Sequence, residues 1–87
     1  MTARPSASAV AIMRGYPNPL LDAWVMVMAL DPPRICLGVD EADGSETTGW
    51  YREGDVLIAG GCQWSVGAVG AVGVDPSVVL SPAQTER

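Results

Sequence analysis

The chain contains no histidine and no lysine. Without histidine it lacks the usual general acid–base side chain, both the Ser-His-Asp and the Cys-His designs, and the commonest metal ligand. Its positive side chains are scattered arginines, Arg4, Arg14, Arg34, Arg52 and Arg87. Binding of nucleic acid through phosphate contacts needs a clustered basic face, so we predict no direct nucleic-acid partner.

Long apolar runs are also missing. The longest uninterrupted run, Ala23 to Leu30, is far shorter than the ~20 residues that span a bilayer. Pro5 and Arg14 interrupt the apolar core that a signal peptide needs. The net charge of −5 would be repelled by an anionic membrane surface. These features predict a soluble, cytosolic protein without a membrane partner.

Cysteine is sparse, since Cys36 and Cys62 are the only two. They do not form a C-x-x-C pair and cannot complete a tetrahedral zinc site without other ligands. In a chain without an export signal, two cysteines are more often buried thiols than a disulfide. We predict no metal and no cofactor, and the sequence leaves open whether the two thiols meet.

The residues that are present favour β-structure. Apolar residues make up 48% of the chain, which is enough for a core, and valine is abundant. Ten glycines and seven prolines divide the chain into short elements. We predict an all-β fold, a small antiparallel barrel or sandwich of about five strands with an extended N-terminal arm. Residues 1–19 are the predicted arm, residues 20–82 a single small β domain, and residues 83–87 a C-terminal tail.

The first predicted strand is Ala23 to Leu30, which is apolar on both faces. A period of two places Trp24, Met26, Met28 and Leu30 on one face. A helix after an Asp22 cap is the alternative, because Ala, Met and Leu tolerate it. The valines and the flanking prolines favour the strand.

The remaining predicted elements follow from turn signals. Strand two is Ile35 to Val39, an exposed acidic loop covers Asp40 to Gly49, and strand three runs from Trp50 through a bend at residues 53–55 to Ala59. Gly60-Gly61 makes a tight turn into strand four, from Cys62 towards Val74, and Val78 to Leu80 is the last strand. Glycine at every third position of residues 66–74 is typical of a strand that another backbone or a neighbouring subunit approaches closely.

Candidate chemistry is limited to carboxylates and aromatics. The acidic residues of the loop could hold calcium, but their spacing does not match an EF-hand and a solvated loop is favoured. Glu53 and Asp55 could form a catalytic carboxylate pair, but they flank a turn glycine, where such residues are common anyway. Three tryptophans are predicted to supply most of the core bulk in a chain without phenylalanine, with an interface role for one or two as the second interpretation. We therefore predict that the protein is not an enzyme.

The segment from Glu53 to Val69, EGDVLIAGGCQWSVGAV, followed by Val78-Val79-Leu80, resembles the C-terminal half of small tailed-phage head-to-tail connector proteins. Those adaptor and head-closure proteins often show a Gly-Asp opening, a strand, a glycine turn, an aromatic followed by alternating apolar residues, and a final strand. The resemblance implies a β-barrel subunit that oligomerises in a virion and has no catalytic residues.

The expected function is that of a non-enzymatic structural assembly protein, a phage virion subunit of the connector or capsid-decorating kind. Its partners would be further copies of itself and other virion proteins, and its location the virion, or the host cytoplasm during assembly. The alternative is a monomeric β-barrel module whose aromatic groove binds a peptide or small ligand. The candidate interface residues are Val10, Ile12, Met13, Trp24, Met26, Met28, Val69 and Val72.

Overall fold

The structure, a computed structural model, describes residues 9–83. Within this range the chain forms eight strands and no helix, which confirms the all-β prediction. The strands are β1 (Val10–Ile12), β2 (Asn18–Leu20), β3 (Ala23–Asp31), β4 (Arg34–Asp40), β5 (Glu46–Arg52), β6 (Val56–Ala59), β7 (Cys62–Val66) and β8 (Val78–Pro82). The prediction of about five strands is wrong, because two short strands precede β3 and a turn at Glu53-Gly54 divides the third predicted strand.

The strands form two antiparallel sheets of four strands each. We call the sheet with order β1-β8-β7-β6 the first sheet and the sheet with order β2-β3-β4-β5 the second sheet. Each sheet keeps two edge strands within the described residues, so the fold is not a closed barrel. Both sheets contribute to one buried cluster, which includes Ile12, Leu57, Trp64, Val66 and Leu80 from the first sheet and Leu20, Val25, Ile35, Leu37 and Val39 from the second. The inner faces therefore pack together and the outer faces point away from the core.

The strand predicted at residues 23–30 is confirmed as β3, and the helical alternative is not observed. A bulge between Val27 and Ala29 interrupts its pairing with β4, which leaves Met28 without a register partner. A bulge shifts the alternation of side chains by one residue. Leu30 consequently packs against the core opposite Ile35, and does not share the face of Trp24 as the uninterrupted period predicted.

The loop predicted at Asp40 to Gly49 is wrong in its bounds, because β5 already begins at Glu46. This strand pairs with β4 along its whole length, from Asp40–Glu46 to Arg34–Arg52. Its threonines and aromatics favour a strand, and pairing satisfies the other edge of β4. The remaining turn is closed by backbone hydrogen bonds from Glu41 N to Ser45 O (2.8 Å) and from Gly44 N to Glu41 O (2.9 Å).

The fourth predicted strand is also too long, since β7 ends at Val66 and residues 67–77 leave the sheet. Two of the three glycines in this segment lie against β8 and the residues before it: Gly67 N donates to Val79 O at 2.9 Å and Gly70 N to Ser77 O at 2.7 Å, whereas Gly73 has no close neighbour. A Cβ at Gly67 would lie 2.8 Å from the Val79 carbonyl oxygen. The close backbone approach predicted for these small residues is therefore made by the same chain.

Part of the predicted N-terminal arm belongs to the sheets. Residues 10–12 form β1, which pairs with β8 in the first sheet, and residues 18–20 form β2 in the second sheet. Buried Asn18 holds the connection between them: Met13 N donates to Asn18 Oδ1 at 3.0 Å, and Asn18 Nδ2 lies 2.9, 3.0 and 3.1 Å from the carbonyl oxygens of Met13, Tyr16 and Val25. Residues 1–8 of the predicted arm and 84–87 of the predicted tail lie outside the described residues.

Candidate interaction surface

The outer face of β3, β4 and β5 is apolar, and we refer to it as the outer apolar face. Its most exposed members are Trp24, Met28 and Trp50, whose exposed fractions are 49%, 55% and 47%. Half-buried Met26 lies on the same side of β3. An antiparallel sheet with one face on a core usually presents polar residues on the other, so this composition is unusual.

The strand register defines how the outer apolar face is arranged. One row across the strands contains Met26, Gly38 and Thr48, and the next contains Ala29, Cys36 and Trp50. The bulge residue Met28 lies over Gly38: its Cγ and Sδ atoms are each 3.2 Å from the point where a Cβ at Gly38 would stand. In the middle of the face, the Met28 side chain therefore lies over a glycine of β4.

The two ends of the outer apolar face carry opposite charges. The row at one end contains Trp24, Asp40 and Glu46, whereas the row at the other end contains Asp31, Arg34 and Arg52. These rows mark the points at which the apolar surface gives way to charged side chains.

At the basic end, Arg34 connects the charged row with the apolar one. Its Nη2 atom donates to Asp31 Oδ2 at 3.0 Å, and its Cζ atom lies 4.9 Å from the centroid of the Trp50 ring. A guanidinium at that distance is attracted by the ring face. These contacts hold the indole at the border between the apolar centre and the basic end.

The structure brings together three of the predicted interface residues, Trp24, Met26 and Met28, on the outer apolar face. It places Ile12 in the core with 0% exposure, so its prediction as an interface residue is wrong: β1 pairs with β8 and turns this side chain inward. Val10 packs against the same core, and Met13 is half-buried beyond the end of β1.

The two predicted interface valines lie apart from these residues in sequence, in the segment between β7 and β8. Val69 packs against the core, whereas Val72 is 63% exposed. Val74, which was not among the predicted interface residues, is 55% exposed in the same segment.

Trp50, which was not among the predicted interface residues, is also about half exposed on the outer apolar face. The prediction that the three tryptophans supply most of the core bulk is also wrong. Trp64 alone is buried among them, and its Nε1 donates to Ala59 O at 3.0 Å. The interface role considered for one or two tryptophans is compatible with the exposure of Trp24 and Trp50. The pairing of β5 with β4 is the signal that would have identified Trp50, since it shares a row with Cys36.

The acidic loop uses its carboxylates to shape turns. Asp43 Oδ1 accepts hydrogen bonds from Ser45 Oγ (2.7 Å) and Ser45 N (2.9 Å), which lower the pKa of Asp43. Glu41 Oε1 accepts from Gly60 N at 3.1 Å and so connects the loop to the β6–β7 turn. Among residues 9–83, no group of three or more Asp, Glu, Cys or His side chains is placed to hold a metal ion.

The two cysteines are free and lie in different sheets. Cys36 is buried in β4, as predicted, whereas Cys62 begins β7 and is exposed, which contradicts the prediction for that residue. Cys36 lies in the row of Trp50, so its thiol is part of the floor of the outer apolar face.

In the part of the chain that the structure describes, no helix is long and apolar enough to cross a bilayer. Comparisons with protein-family models, with curated proteins and with solved structures gave no significant match. The interpretation of the outer apolar face therefore depends on its own chemistry.

Proposed function

We propose that the protein is a non-enzymatic structural assembly protein that packs its outer apolar face against another protein. The observation that carries this proposal is the pair of half-exposed tryptophans, Trp24 and Trp50, beside exposed Met28 on one sheet face. Tryptophan and methionine are enriched in protein interfaces, where they supply large contact areas. Methionine also adapts its shape to the surface that covers it.

The two sheets differ in how their outer faces are composed. Val56 and Ile58 are exposed on β6 of the first sheet, but the neighbouring strand β7 presents the polar side chains of Gln63 and Ser65 there. In the second sheet, Met26 and Trp50 belong to adjacent rows, and the bulge residue Met28 lies beside them without a charged residue in between. This contrast favours the second sheet as the assembly surface.

The finer proposal is a phage virion subunit, of the connector or capsid-decorating kind, whose partners are its own copies and other virion proteins. It is supported by the resemblance of residues 53–80 to head-to-tail connector proteins. Genomic neighbourhood tests it directly: adjacent portal or capsid genes are expected, and their absence from a sequenced genome would contradict it.

Sedimentation velocity over a range of concentrations tests the assembly function. We expect the unmodified chain to associate with itself or with the products of neighbouring genes. Met28→Ser should weaken that association, whereas Ile58→Ser, which changes a similarly exposed residue of the first sheet, should leave it intact. A chain that remains monomeric both alone and in those mixtures contradicts the proposal and favours the alternative, a monomeric module for a peptide or small ligand.

A further inference from the structure

We infer, on the basis of the proposed function, that the outer apolar face binds a second copy of the chain across a twofold axis that reverses the strand direction. The charged rows at the two ends of the face carry this inference. On β4, Asp40 lies at one end and Arg34 at the other. On β5, Glu46 and Arg52 occupy the corresponding positions. Each of these strands therefore has an acidic end and a basic end on the same side of the sheet.

Two copies of one face can stack through a twofold axis in the plane between them in two principal ways. An axis perpendicular to the strands places each strand over its own copy with the direction reversed. Asp40 then faces Arg34 of the second copy, and Glu46 faces Arg52 of the second copy. Every such contact occurs twice, since a twofold interface uses the same patch on both subunits.

The other axis runs along the strands and leaves each row facing its own copy. Asp40 would then lie over Asp40 of the second copy, and Arg34 over Arg34. Like charges placed together in an interface are unfavourable, so the charge pattern selects the strand-reversing arrangement. Sheets that pack face to face keep their strand directions within about 30° of one another, and both axes permit this.

The apolar centre suits the same arrangement. Each β4 would lie over the other β4, so that Met28, which lies over Gly38, faces Cys36 of the second copy. A face of three strands spaced ~4.8 Å apart and seven residues long measures roughly 330 Å² per copy. Standard interfaces bury about 800 Å² per partner. We therefore expect a reversible dimer whose population depends on concentration.

A charge exchange on β5 tests the arrangement. Glu46 and Arg52 are both exposed, at the two ends of an edge strand, so their replacement should leave the fold intact. We expect E46R and R52E each to raise the dimer dissociation constant roughly tenfold, since each change affects two contacts at once. The double variant E46R/R52E keeps the original net charge and should regain the affinity of the unmodified chain.

The measurements are sedimentation equilibrium and tryptophan emission upon dilution. Dimer formation should shift the emission of Trp24 and Trp50 to shorter wavelength, while buried Trp64 contributes a constant signal. Circular dichroism and urea unfolding show whether each variant is folded. Salt provides a second measurement on the unmodified chain: the dimer should weaken as the Debye length is reduced from ~30 to ~3 Å.

The outcomes separate this inference from the proposed function. If the chain dimerises but E46R/R52E does not regain affinity, the strand-reversing arrangement is wrong; the other axis predicts no recovery, because Arg52 would then face Asp31. If the chain stays monomeric but a neighbouring gene product binds and Met28→Ser prevents it, the second copy is wrong and the assembly function stands. If nothing binds the face, both are wrong.

Discussion

Replacement of Asn18 by aspartate should strongly destabilise the fold, although it changes only one side-chain group. The Asn18 side chain is buried between β1 of the first sheet and β3 of the second, with Oδ1 accepting from Met13 N and Nδ2 donating towards three carbonyl oxygens. Asn18→Asp preserves the shape and the Oδ1 acceptor. It replaces the donating amide with an oxygen that faces the same three carbonyls.

The magnitude follows from the contacts that are lost. A buried polar group left without its partner costs about 1–3 kcal/mol, and Nδ2 has two hydrogens to lose. At about 0.05–0.15 kcal/mol per residue, a chain of 87 residues is stable by roughly 4–13 kcal/mol. We expect Asn18→Asp to lower the free energy of unfolding at neutral pH by at least about 2 kcal/mol, which is a large share of that margin.

The penalty should depend on pH. Burial and the facing carbonyls disfavour the charged form, so the pKa of the introduced carboxyl should be higher in the folded than in the unfolded chain, where it is ~3.9. A raised folded-state pKa means that the variant is least impaired below the unfolded value and loses stability as the pH rises through the folded value. The protonated acid can also donate one of the missing hydrogen bonds.

Urea unfolding, followed by circular dichroism between pH 3.5 and 7.5, measures the effect. The free energy of unfolding of a small protein falls by about 1–3 kcal/mol per molar urea, so the expected loss shifts the urea midpoint measurably. Gln63→Glu is the matched control, because it makes the same amide-to-carboxylate change at an exposed site on β7. If Asn18→Asp and Gln63→Glu unfold at the same urea concentration at neutral pH, Asn18 does not hold the two sheets together as described.

Three further predictions concern the glycines and one tyrosine. Gly67→Ala should lower the free energy of unfolding, measured in urea, by about 1–3 kcal/mol, since its Cβ would meet a carbonyl oxygen of β8 at 2.8 Å. Ala68→Ser, at an exposed position, should have little effect. Equal urea midpoints for the two variants would refute the close approach. Burial raises the pKa of Tyr51, so the stability that depends on its neutral form is present below pH 10 and is lost as the pH rises through the folded-state pKa. The urea midpoint of Tyr51→Phe should therefore decline less steeply above pH 10 than that of the unmodified chain. Parallel plots of urea midpoint against pH for the two proteins would argue against this. Gly38→Ala should displace Met28 and weaken association in sedimentation more than it lowers the melting temperature; unchanged association would show that the shape of the face is not critical.

The strands with the strongest local signals were predictable from the sequence. The valines and flanking prolines identified β3, and turn signals identified β4 and the β6–β7 hairpin at Gly60-Gly61. Both glycines adopt positive φ, at 62° and 78°, as a tight hairpin turn requires. The short strands β1 and β2 and the polar start of β5 carry weak local signals, and their strand conformation depends on pairing with β8, β3 and β4.

The candidate surface was predictable only in part. The sequence indicated that the strand at residues 23–30 has two apolar faces and therefore needs cover on both sides. It could not show which face would be inside, since a period of two is the same seen from either side. Nor could it show that a bulge at Met28 would turn Leu30 to the core while leaving Trp24 outside.

Local physics, acting within a few residues, thus determined an all-β chain, its hairpin and the two-sided strand. Tertiary structure decided which side of that strand the first sheet covers. It also decided that Trp64 is buried while Trp24 and Trp50 remain about half exposed. The physical reason is that burial depends on distant segments: Trp50 joins the outer apolar face because β5 pairs with β4, and the charged rows align because that pairing places Asp40 beside Glu46 and Arg34 beside Arg52.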